Sequence, residues 1–230
     1  MRILGIDSAT LTIGVAILDG DRVVAAARHD AKGRTNDLLV TIDRLCREAV
    51  IAPTELDAIA IGAGPGSFTG LRIGMATAKG IAFAAGKPLW AVSSLAALAH
   101  DAGVSPDGLV ISVLDARKGE VYVGCFDGAA SSLSEERVLA PGAVADFVRG
   151  VIGDQPASYV GDAITSYPDV FTPLADHWTV TTPSGVAVAR LALAGARVDV
   201  TTGGSPTYIR ASEAEVKYPD GVPGALPRKP

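Results

Sequence analysis

The sequence predicts an α/β fold of two lobes, each with a mixed β-sheet flanked by helices. Before residue 103, segments typical of strands and helices follow one another in the order β-β-β-α-β-α-β-α. A turn-rich segment at 103–108 then interrupts this order. A second series opens as the first does, with strands that carry an aspartate near the end, Asp7 in one series and Asp115 in the other. We therefore predict an N-terminal lobe over 1–103 and a C-terminal lobe over 104–230.

Short apolar segments predict the strands of the first lobe. Three of them, "ILGID", "TIGVAIL" and "RVVAAA", open the chain, and "DGD" at 19–21 is typical of a hairpin turn between the second and the third. The fourth segment, "LDAIAIGAG", is apolar along nearly its whole length, which predicts a strand covered on both faces of its sheet. "KPLWAV" predicts a fifth strand.

Apolar spacing and capping residues predict three helices in this lobe. The first begins near Thr35 or Asn36, either of which can cap it, and Pro53 ends it. Its apolar residues recur at helical spacing and form one stripe: Leu38, Leu39, Ile42, Leu45, Cys46 and Ala49. The second helix follows a glycine-rich loop, and the third is "SSLAALAHDA", capped by Ser93 or Ser94.

The second lobe is predicted to contain four strands and two helices. "LVISVLDAR", "EVYVGCFDG", "SLSEERVL" and "ASYVGDA" have the composition of strands, and "PGAVADFVRGVI" that of a helix. A last helix is predicted over 183–197, with Pro183 in its first turn and Gly195 near its end. Proline, glycine and charged residues fill the tail, and we expect residues 221–230 to be mobile.

Composition limits the class of protein. The chain is 48% hydrophobic and 20% charged, which is typical of a globular protein. Its net charge of −5 argues against binding a nucleic acid without help from a partner. Cys46 and Cys125 are far apart and lack CxxC spacing, which argues against a disulfide framework or zinc site and favours a reducing compartment. We expect a cytoplasmic protein with no membrane span, because no apolar stretch is long enough.

The segment "GAGPGSFTG", residues 62–70, joins the fourth strand to the second helix. Its glycines match neither G-x-G-x-x-G nor G-x-x-x-x-G-K-S/T, which excludes those two phosphate-binding signatures. Two interpretations stay open. The loop is a tight strand-to-helix turn, or the backbone amides of Gly66, Ser67 and Phe68 receive an anion. Asp7 presents the same choice, since it either caps a β-turn or acts as a base or as a partner of a metal-bound phosphate.

The second helix carries a regular stripe of small residues. Gly70, Gly74, Ala78 and Ala82 follow one another at every fourth position, which makes one side of the helix smooth. A glycine within a helix costs about 1 kcal/mol relative to alanine, so these glycines need an explanation. Close approach by another element explains them, and that element is either the chain's own sheet or a second protein. With the leucine-rich first helix beside it, we predict an intermolecular helix bundle.

Four segments together resemble the TsaB (YeaZ) family in order and spacing: "MRILGIDSAT", "GAGPGSFTGLRIG", "LDARKGEVY" and "SPTYIR". This family supplies a subunit of the bacterial machinery that makes threonylcarbamoyladenosine on tRNA. The resemblance implies an ASKHA (actin-like ATPase) fold and a non-catalytic scaffold. It implies that a TsaD-like catalytic paralogue is the partner, that a TsaE-like ATPase joins the complex, and that tRNA is reached only through the complex. Whether ATP or ADP binds at an interface of the complex stays open.

Carried onto this sequence, the resemblance places the partner interface on the first two helices. The expected interface residues are Leu38, Leu39, Ile42, Leu45, Gly70, Arg72, Gly74, Ala78 and Ile81. A homodimer through the same helices is the alternative assembly. Many relatives have a histidine followed by serine or threonine just before the first helix, whereas this chain has Arg34 and Thr35 there, so no role for a histidine is carried over.

An enzyme is the alternative hypothesis, either a small ASKHA-type phosphotransferase or ATPase, or a glycoprotease-like peptidase. Kinases of this superfamily have Asp-x-Gly-Gly or Asp-x-Gly-Thr in the second lobe, but Asp115 is followed by Ala116 and Arg117 in "DARKGEVY", which predicts an ion-paired hairpin. Ser67 does not lie in G-x-S-x-G. The histidines are isolated: His29, His100 and His177. We therefore predict no catalytic residue and no metal ligand, and we treat Asp7, Gly66 and Ser67 as a vestigial cofactor site.

Overall fold

Six strands form the first β-sheet in a computed structural model that describes residues 1–30, 37–174 and 178–210. In order across the sheet they are β11 (Val198–Asp199), β5 (Leu89–Val92), β4 (Ala58–Gly62), β1 (Arg2–Asp7), β2 (Thr12–Asp19) and β3 (Arg22–Asp30). β1 pairs antiparallel with β2 and parallel with β4, so the sheet is mixed as predicted. All five residues of β4 are buried, which confirms a strand covered on both faces.

Five strands form the second sheet of the described chain. In order they are β10 (Trp178–Thr179), β9 (Ser158–Val160), β6 (Leu109–Arg117), β7 (Glu120–Asp127) and β8 (Arg137–Leu139). β8 is shorter than the predicted strand "SLSEERVL" because side chains bond to the backbone in the segment before it. The Ser132 hydroxyl donates to the Ser134 carbonyl oxygen at 2.6 Å, and the Ser134 hydroxyl accepts from the Cys125 amide at 3.2 Å, which favours a loop over a regular strand there.

Helices flank both sheets within the described residues. They are α1 (Asp37–Ala49), α2 (Phe68–Ala85), α3 (Ser94–Asp101), α4 (Val144–Ile152), α5 (Ala163–Ser166), α6 (Pro168–Phe171) and α7 (Gly185–Leu193). The hydroxyl of Ser93 accepts a hydrogen bond from the Ala96 amide at 3.1 Å, so Ser93 is the predicted cap of α3. Ser184 caps α7, and Pro183 therefore lies before this helix and not in its first turn. Among the described residues, no helix is long and apolar enough to cross a membrane.

The two faces of the first sheet are covered by different helices. Leu4 and Ile6 point to the side of α1 and α2, and their core includes Leu45 and Met75. Ile3 points to the opposite side, where its core includes residues of α7 and α3 and continues into the second sheet. A third core lies on the far face of the second sheet, under α4. The two lobes therefore share one apolar core through α3.

The last helix differs from its expected position in the second lobe, because α7 lies on the first sheet. A Cβ at Gly14 of β2 would lie 2.8 Å from the Gly185 nitrogen, and a Cβ at Gly5 of β1 would overlap the Gly185 carbonyl oxygen. Only glycine permits so close an approach between helix and strand. β11 follows α7 and joins the same sheet beside β5. The division of the chain at 103 and 104 stays a prediction. The first sheet and its helices include residues from before and from after that division.

Several predicted features lie outside the described residues. These are the capping positions Thr35 and Asn36, the departure from the family at Arg34, His177, and the tail at 221–230.

Candidate functional site

Asp7 ends β1 at the carboxyl edge of the first sheet, and its carboxyl group is fully enclosed. The side chain is 0% exposed. Oδ1 accepts a hydrogen bond from the Ala9 amide at 2.8 Å, and Oδ2 accepts one from the Ser94 hydroxyl at 2.7 Å. Gly62 of β4 makes room for this carboxyl, because a Cβ there would overlap Oδ2. Burial raises the pKa of Asp7 from 3.8 to about 6, against the lowering effect of those two hydrogen bonds.

This environment favours the structural interpretation of Asp7. A general base or a partner of a metal-bound phosphate needs a carboxylate oxygen that a ligand can reach. Both oxygens of Asp7 are already bonded inside the protein, one of them to an amide two residues further along the chain. Such a bond is typical of an aspartate that caps a turn. Asp7 thus joins the end of β1 to the start of α3.

The glycine-rich loop is likewise closed onto its own chain. The Ser67 amide donates to the Ala9 carbonyl oxygen at 2.6 Å, and its hydroxyl accepts from the Gly70 amide at 3.4 Å as the cap of α2. A Cβ at Gly66 would overlap the same carbonyl oxygen of Ala9. Of the three amides predicted to receive an anion, that of Ser67 is therefore occupied, and close approach of two backbone segments explains Gly66. In this structure the Asp7 carboxyl and the Ser67 amide are both engaged within the chain.

Asp115, the aspartate of the second lobe, is also bonded to side chains of its own chain. Asp115 Oδ2 lies 3.0 Å from the Arg117 guanidinium and accepts a hydrogen bond from the Ser166 hydroxyl at 2.7 Å. The predicted ion pair within "DARKGEVY" is confirmed for these residues. Glu120 pairs instead with Arg210 from the far end of the described chain, at 3.0 Å. Within 1–30, 37–174 and 178–210, no group of three or more histidine, cysteine, aspartate or glutamate side chains is placed to hold a metal ion.

The predicted interface stripes on α1 and α2 face inward. Leu38, Ile42 and Leu45 are buried in the core beneath the first sheet, and so are Gly74 and Ala78. A Cβ at Gly70 or Gly74 would overlap atoms of the loop after β1, the Ser8 carbonyl oxygen and the Ser8 hydroxyl respectively. The smooth side of α2 therefore lies against the chain's own sheet, which was the alternative explanation of its glycines. The five buried residues of these stripes are therefore closed to a partner in the folded chain.

A second, outward face of α1 and α2 carries large apolar side chains. Phe83 on α2 is 91% exposed, and Leu39 on α1 is 57% exposed. Arg72 is exposed as well, and Ile81 is half-buried. Of the nine predicted interface residues, five are buried, Leu39 and Arg72 are exposed, and Gly70 and Ile81 are half-buried. We call the exposed parts of Leu39, Arg72 and Phe83 the outer helix face; Ile81 packs against the core on another side of α2.

Sequence reasoning missed Phe83, although the signal was present. Ala76, Gly80 and Phe83 lie at spacings of four and three residues and form a second helical stripe beside the one that was chosen. Both stripes have small residues at regular intervals. Nothing in their spacing distinguishes the side that packs on the sheet from the side that faces outward.

A stack of aromatic and cationic groups marks the start of the outer helix face. The Arg72 guanidinium lies 3.8 Å from the centroid of the Phe68 ring, and its Nε donates to the Tyr208 hydroxyl at 3.2 Å. The rings of Phe68 and Tyr208 lie 5.1 Å apart. Cation–π contacts of this kind hold a guanidinium in place on a surface. Tyr208 belongs to "SPTYIR", which the sequence marked only as a family segment.

A shallow cleft of about 710 Å³ lies between the β7–β8 connection and the C-terminal segment. Its lining residues are Ser132, Leu133, Ser134, Glu135, Glu136, Thr207 and Ile209. The Ser93 hydroxyl donates to the Glu136 carboxylate, which links the start of α3 to this lining. Burial raises the pKa of Glu136, and the bond to Ser93 partly offsets that effect.

Comparison with known proteins gives consistent relatives. A family model described as TsaD, tRNA N6-adenosine threonylcarbamoyltransferase, matches residues 29–218. The tRNA threonylcarbamoyladenosine biosynthesis protein TsaB of Escherichia coli K12 is 33% identical over 175 residues, which cover 74% of this chain and 75% of that protein. TsaB of Bacillus subtilis strain 168 is 39% identical over 127 residues, and this match spans 55% of the chain and about half, 55%, of the relative.

A solved structure shows the same fold. YeaZ from Pseudomonas aeruginosa superposes with a TM-score of 0.76 at 29% identity, covering 90% of this chain and 99% of that one. Together with the two mixed sheets flanked by helices, this likeness confirms the predicted ASKHA fold class.

Proposed function

This chain belongs to the TsaB (YeaZ) family, and on that premise we propose that it is a non-catalytic partner subunit in the formation of threonylcarbamoyladenosine on tRNA. Its direct partner is a TsaD-like threonylcarbamoyltransferase, and a TsaE-like ATPase joins the complex. TsaD then transfers the threonylcarbamoyl group to the adenosine beside the anticodon in tRNAs that read codons beginning with A. The observation that carries the proposal is the exposed phenylalanine of the outer helix face.

The outer helix face supports a role in protein association. An aromatic ring that is 91% exposed is costly to leave in water, and aromatic residues and arginine are enriched in protein interfaces. Phe83 and Arg72 lie on α2, and Leu39 lies on α1, which contacts α2. A partner that covers both helices would bury these side chains together. A second copy of this chain could use the same face, so sizing the free protein is part of the test.

The hydrogen bonds and ion pairs that already engage the candidate catalytic side chains support a non-catalytic role. Asp7, Ser67 and Asp115 would carry phosphotransfer or peptidase chemistry, but both carboxyl groups are bonded within the chain. The Ser67 hydroxyl caps α2 by accepting from the Gly70 amide. A phosphotransferase would lose nucleotide turnover on Asp7→Ala, and a peptidase would lose cleavage on Ser67→Ala. We expect neither activity from the purified chain. ATP or ADP at an interface of the complex stays a prediction.

The net charge of −5 fits access to tRNA through a partner. Affinity for a phosphate backbone comes largely from basic side chains that displace counterions. We therefore assign the main tRNA contacts to the catalytic subunit. A role in tRNA modification is consistent with the cytoplasmic location expected from the sequence, which also stays a prediction.

Substitution of Phe83 tests the proposal. We expect Phe83→Ala to raise the Kd for the TsaD-like counterpart at least about tenfold, because truncating a central aromatic residue typically costs more than about 1.4 kcal/mol. Titration calorimetry measures the affinity. The matched control is Val180→Ala, which shortens another exposed apolar side chain, 60% exposed, away from α1 and α2. Both variants should unfold as the wild type does. Undiminished binding by Phe83→Asp would refute the assigned face.

A further inference from the structure

The segment 205–210, "SPTYIR", crosses from the first lobe to the second and contacts both. Its first anchor is a backbone hydrogen bond in which the Thr207 amide donates to the Ala63 carbonyl oxygen at 2.7 Å. Ala63 opens the loop between β4 and α2. The Thr207 carbonyl oxygen lies so near that a Cβ at Gly64 would approach it to 2.9 Å. The segment therefore lies flush on this loop.

Its second anchor is the aromatic stack on α2. Tyr208 accepts a hydrogen bond from Arg72 and packs its ring beside Phe68. Arg72 belongs to the outer helix face. The conformation of the Arg72 side chain is therefore held by Tyr208 of the segment as well as by Phe68 of α2.

Its third anchor lies in the second lobe, on the hairpin of β6 and β7. Arg210 Nη1 donates to the Ala116 carbonyl oxygen at 2.7 Å, and Nε lies 3.0 Å from the Glu120 carboxylate. The Arg210 side chain is 27% exposed, so water screens this ion pair less than it screens pairs of fully exposed arginines. One side chain thus bonds to both strands of the hairpin.

The anchors are close together along the chain. Only Ile209 separates Tyr208 from Arg210, so about 7 Å of backbone at most joins the stack on α2 to the hairpin of the second lobe. A link this short has little slack. Displacement of the Arg72–Tyr208 stack must therefore shift Arg210 or break its bonds, and the reverse also holds.

We propose that 205–210 is a strap that couples the outer helix face to the second lobe, with Tyr208 and Arg210 as positioning residues for Arg72. This inference rests on the proposed partner function. Partner binding at Arg72 tightens the strap on the hairpin, and loss of the hairpin anchor weakens partner binding from a distance. Coupling between two sites is reciprocal and typically amounts to about fivefold or more in affinity.

A double-mutant cycle separates coupling from general destabilisation. We expect Arg210→Ala to weaken binding of the TsaD-like partner at least about fivefold. In a Tyr208→Ala background, where the strap is already released from Arg72, the same change should have no further effect. An equal loss in both backgrounds, or none in either, would overturn the proposal. Arg149→Ala is the matched control, because Arg149 is an exposed, ion-paired arginine of the second lobe outside the strap.

A replacement variant and a hydrogen-exchange measurement test the strap if the first variant does not fold or the partner does not bind. If Arg210→Ala does not fold, Glu120→Gln removes the same ion pair from the other side and replaces it in the cycle. Hydrogen exchange in the free chain tests the strap without a partner, since Arg210→Ala should speed exchange of the Thr207 amide at least about tenfold. Failure of wild-type binding with accelerated exchange would refute the proposed function and retain the strap. An unchanged exchange rate would refute the strap itself.

Discussion

At the residue scale, the buried carboxyl of Asp7 links stability to pH. Burial raises its pKa to about 6 in the folded chain, above the ordinary value of 3.8. The folded state therefore binds this proton more tightly than the unfolded state does. The resulting stabilisation is fully present below about pH 4 and is lost as the pH rises through about 6. At about 1.36 kcal/mol per pKa unit, the loss amounts to about 3 kcal/mol.

Asp7→Asn should remove this dependence. The asparagine oxygen can accept from the Ala9 amide as Oδ1 does, its NH₂ group can donate to the Ser94 hydroxyl in a reversal of the present bond, and the side chain carries no charge at any pH. We expect the free energy of unfolding of the variant, relative to wild type, to rise by about 2.4 kcal/mol from about pH 4 to about pH 7. Urea denaturation at both values measures it. A difference that does not change with pH would show that the carboxyl is not perturbed.

At the element scale, α2 shows how one helix can carry small residues on two sides for different reasons. Gly74 faces the loop after β1 and has no room for a side chain, whereas a Cβ at Gly80 would meet nothing within 4 Å. The first glycine is required by packing. Gly80 lies on the outward side of α2 and leaves the helix backbone there without a side chain to cover it.

The two glycines predict opposite effects of the same substitution. Gly80→Ala should stabilise the chain by about 0.5–1 kcal/mol, because alanine favours the helix and nothing is displaced. Gly74→Ala should destabilise it by about 1–3 kcal/mol, because the new methyl group displaces the Ser8 hydroxyl from its bond to the Gly70 carbonyl oxygen. Chemical denaturation of the two variants gives the comparison. Equal effects would mean that both sides of α2 are open.

We expect Gly74→Ala to lower the free energy of unfolding and not to act on the association with a partner directly. The sequence had placed Gly74 and Ala78 at a partner interface, where bulky substitutions would block binding. Since both are buried, a substitution there destabilises the chain, and a loss of binding would not separate that effect from a lost contact with a partner. Phe83 is the more informative position, because its side chain can be removed without disturbing the core.

At the scale of the whole molecule, the first lobe is completed by segments from the end of the chain. α7 covers the face of the first sheet that carries Ile3 and Ala16, and β11 covers the edge at β5. Without them the sheet would expose an apolar face and an unpaired edge, both of which promote aggregation.

This arrangement predicts which polypeptides fold. A chain of residues 1–103 lacks α7 and β11, and we expect it to show no cooperative urea transition and to aggregate during size-exclusion chromatography. A chain of residues 1–204 keeps both elements and lacks only the strap and the residues after it, so it should unfold cooperatively. Cooperative unfolding of the shorter chain would show that α7 is dispensable for the first lobe.

Much of the fold could be predicted because its signals are local. Apolar segments predicted β1, β2 and β4, and the cap at Ser93 followed from a serine before an apolar run. The prediction of a strand over all of "SLSEERVL" was wrong, because the Ser132 and Ser134 side chains bond to the backbone there and compete with strand pairing. The candidate site was predicted less well. Whether a ligand can reach the Asp7 carboxyl depends on Ser94 and Gly62, which lie far from it in sequence.

By itself, the sequence determined the order of strands and helices up to α3, the family and the absence of common phosphate-binding signatures, since each is a property of neighbouring residues. Only the tertiary structure decided that α7 belongs to the first sheet, that the regular stripe of α2 faces inward, and that Phe83 faces outward. Those outcomes depend on contacts between distant segments, such as Gly5 with Gly185 and Gly74 with Ser8. Two faces of one helix can have the same spacing of small residues, and only the surface packed against each of them distinguishes core from interface.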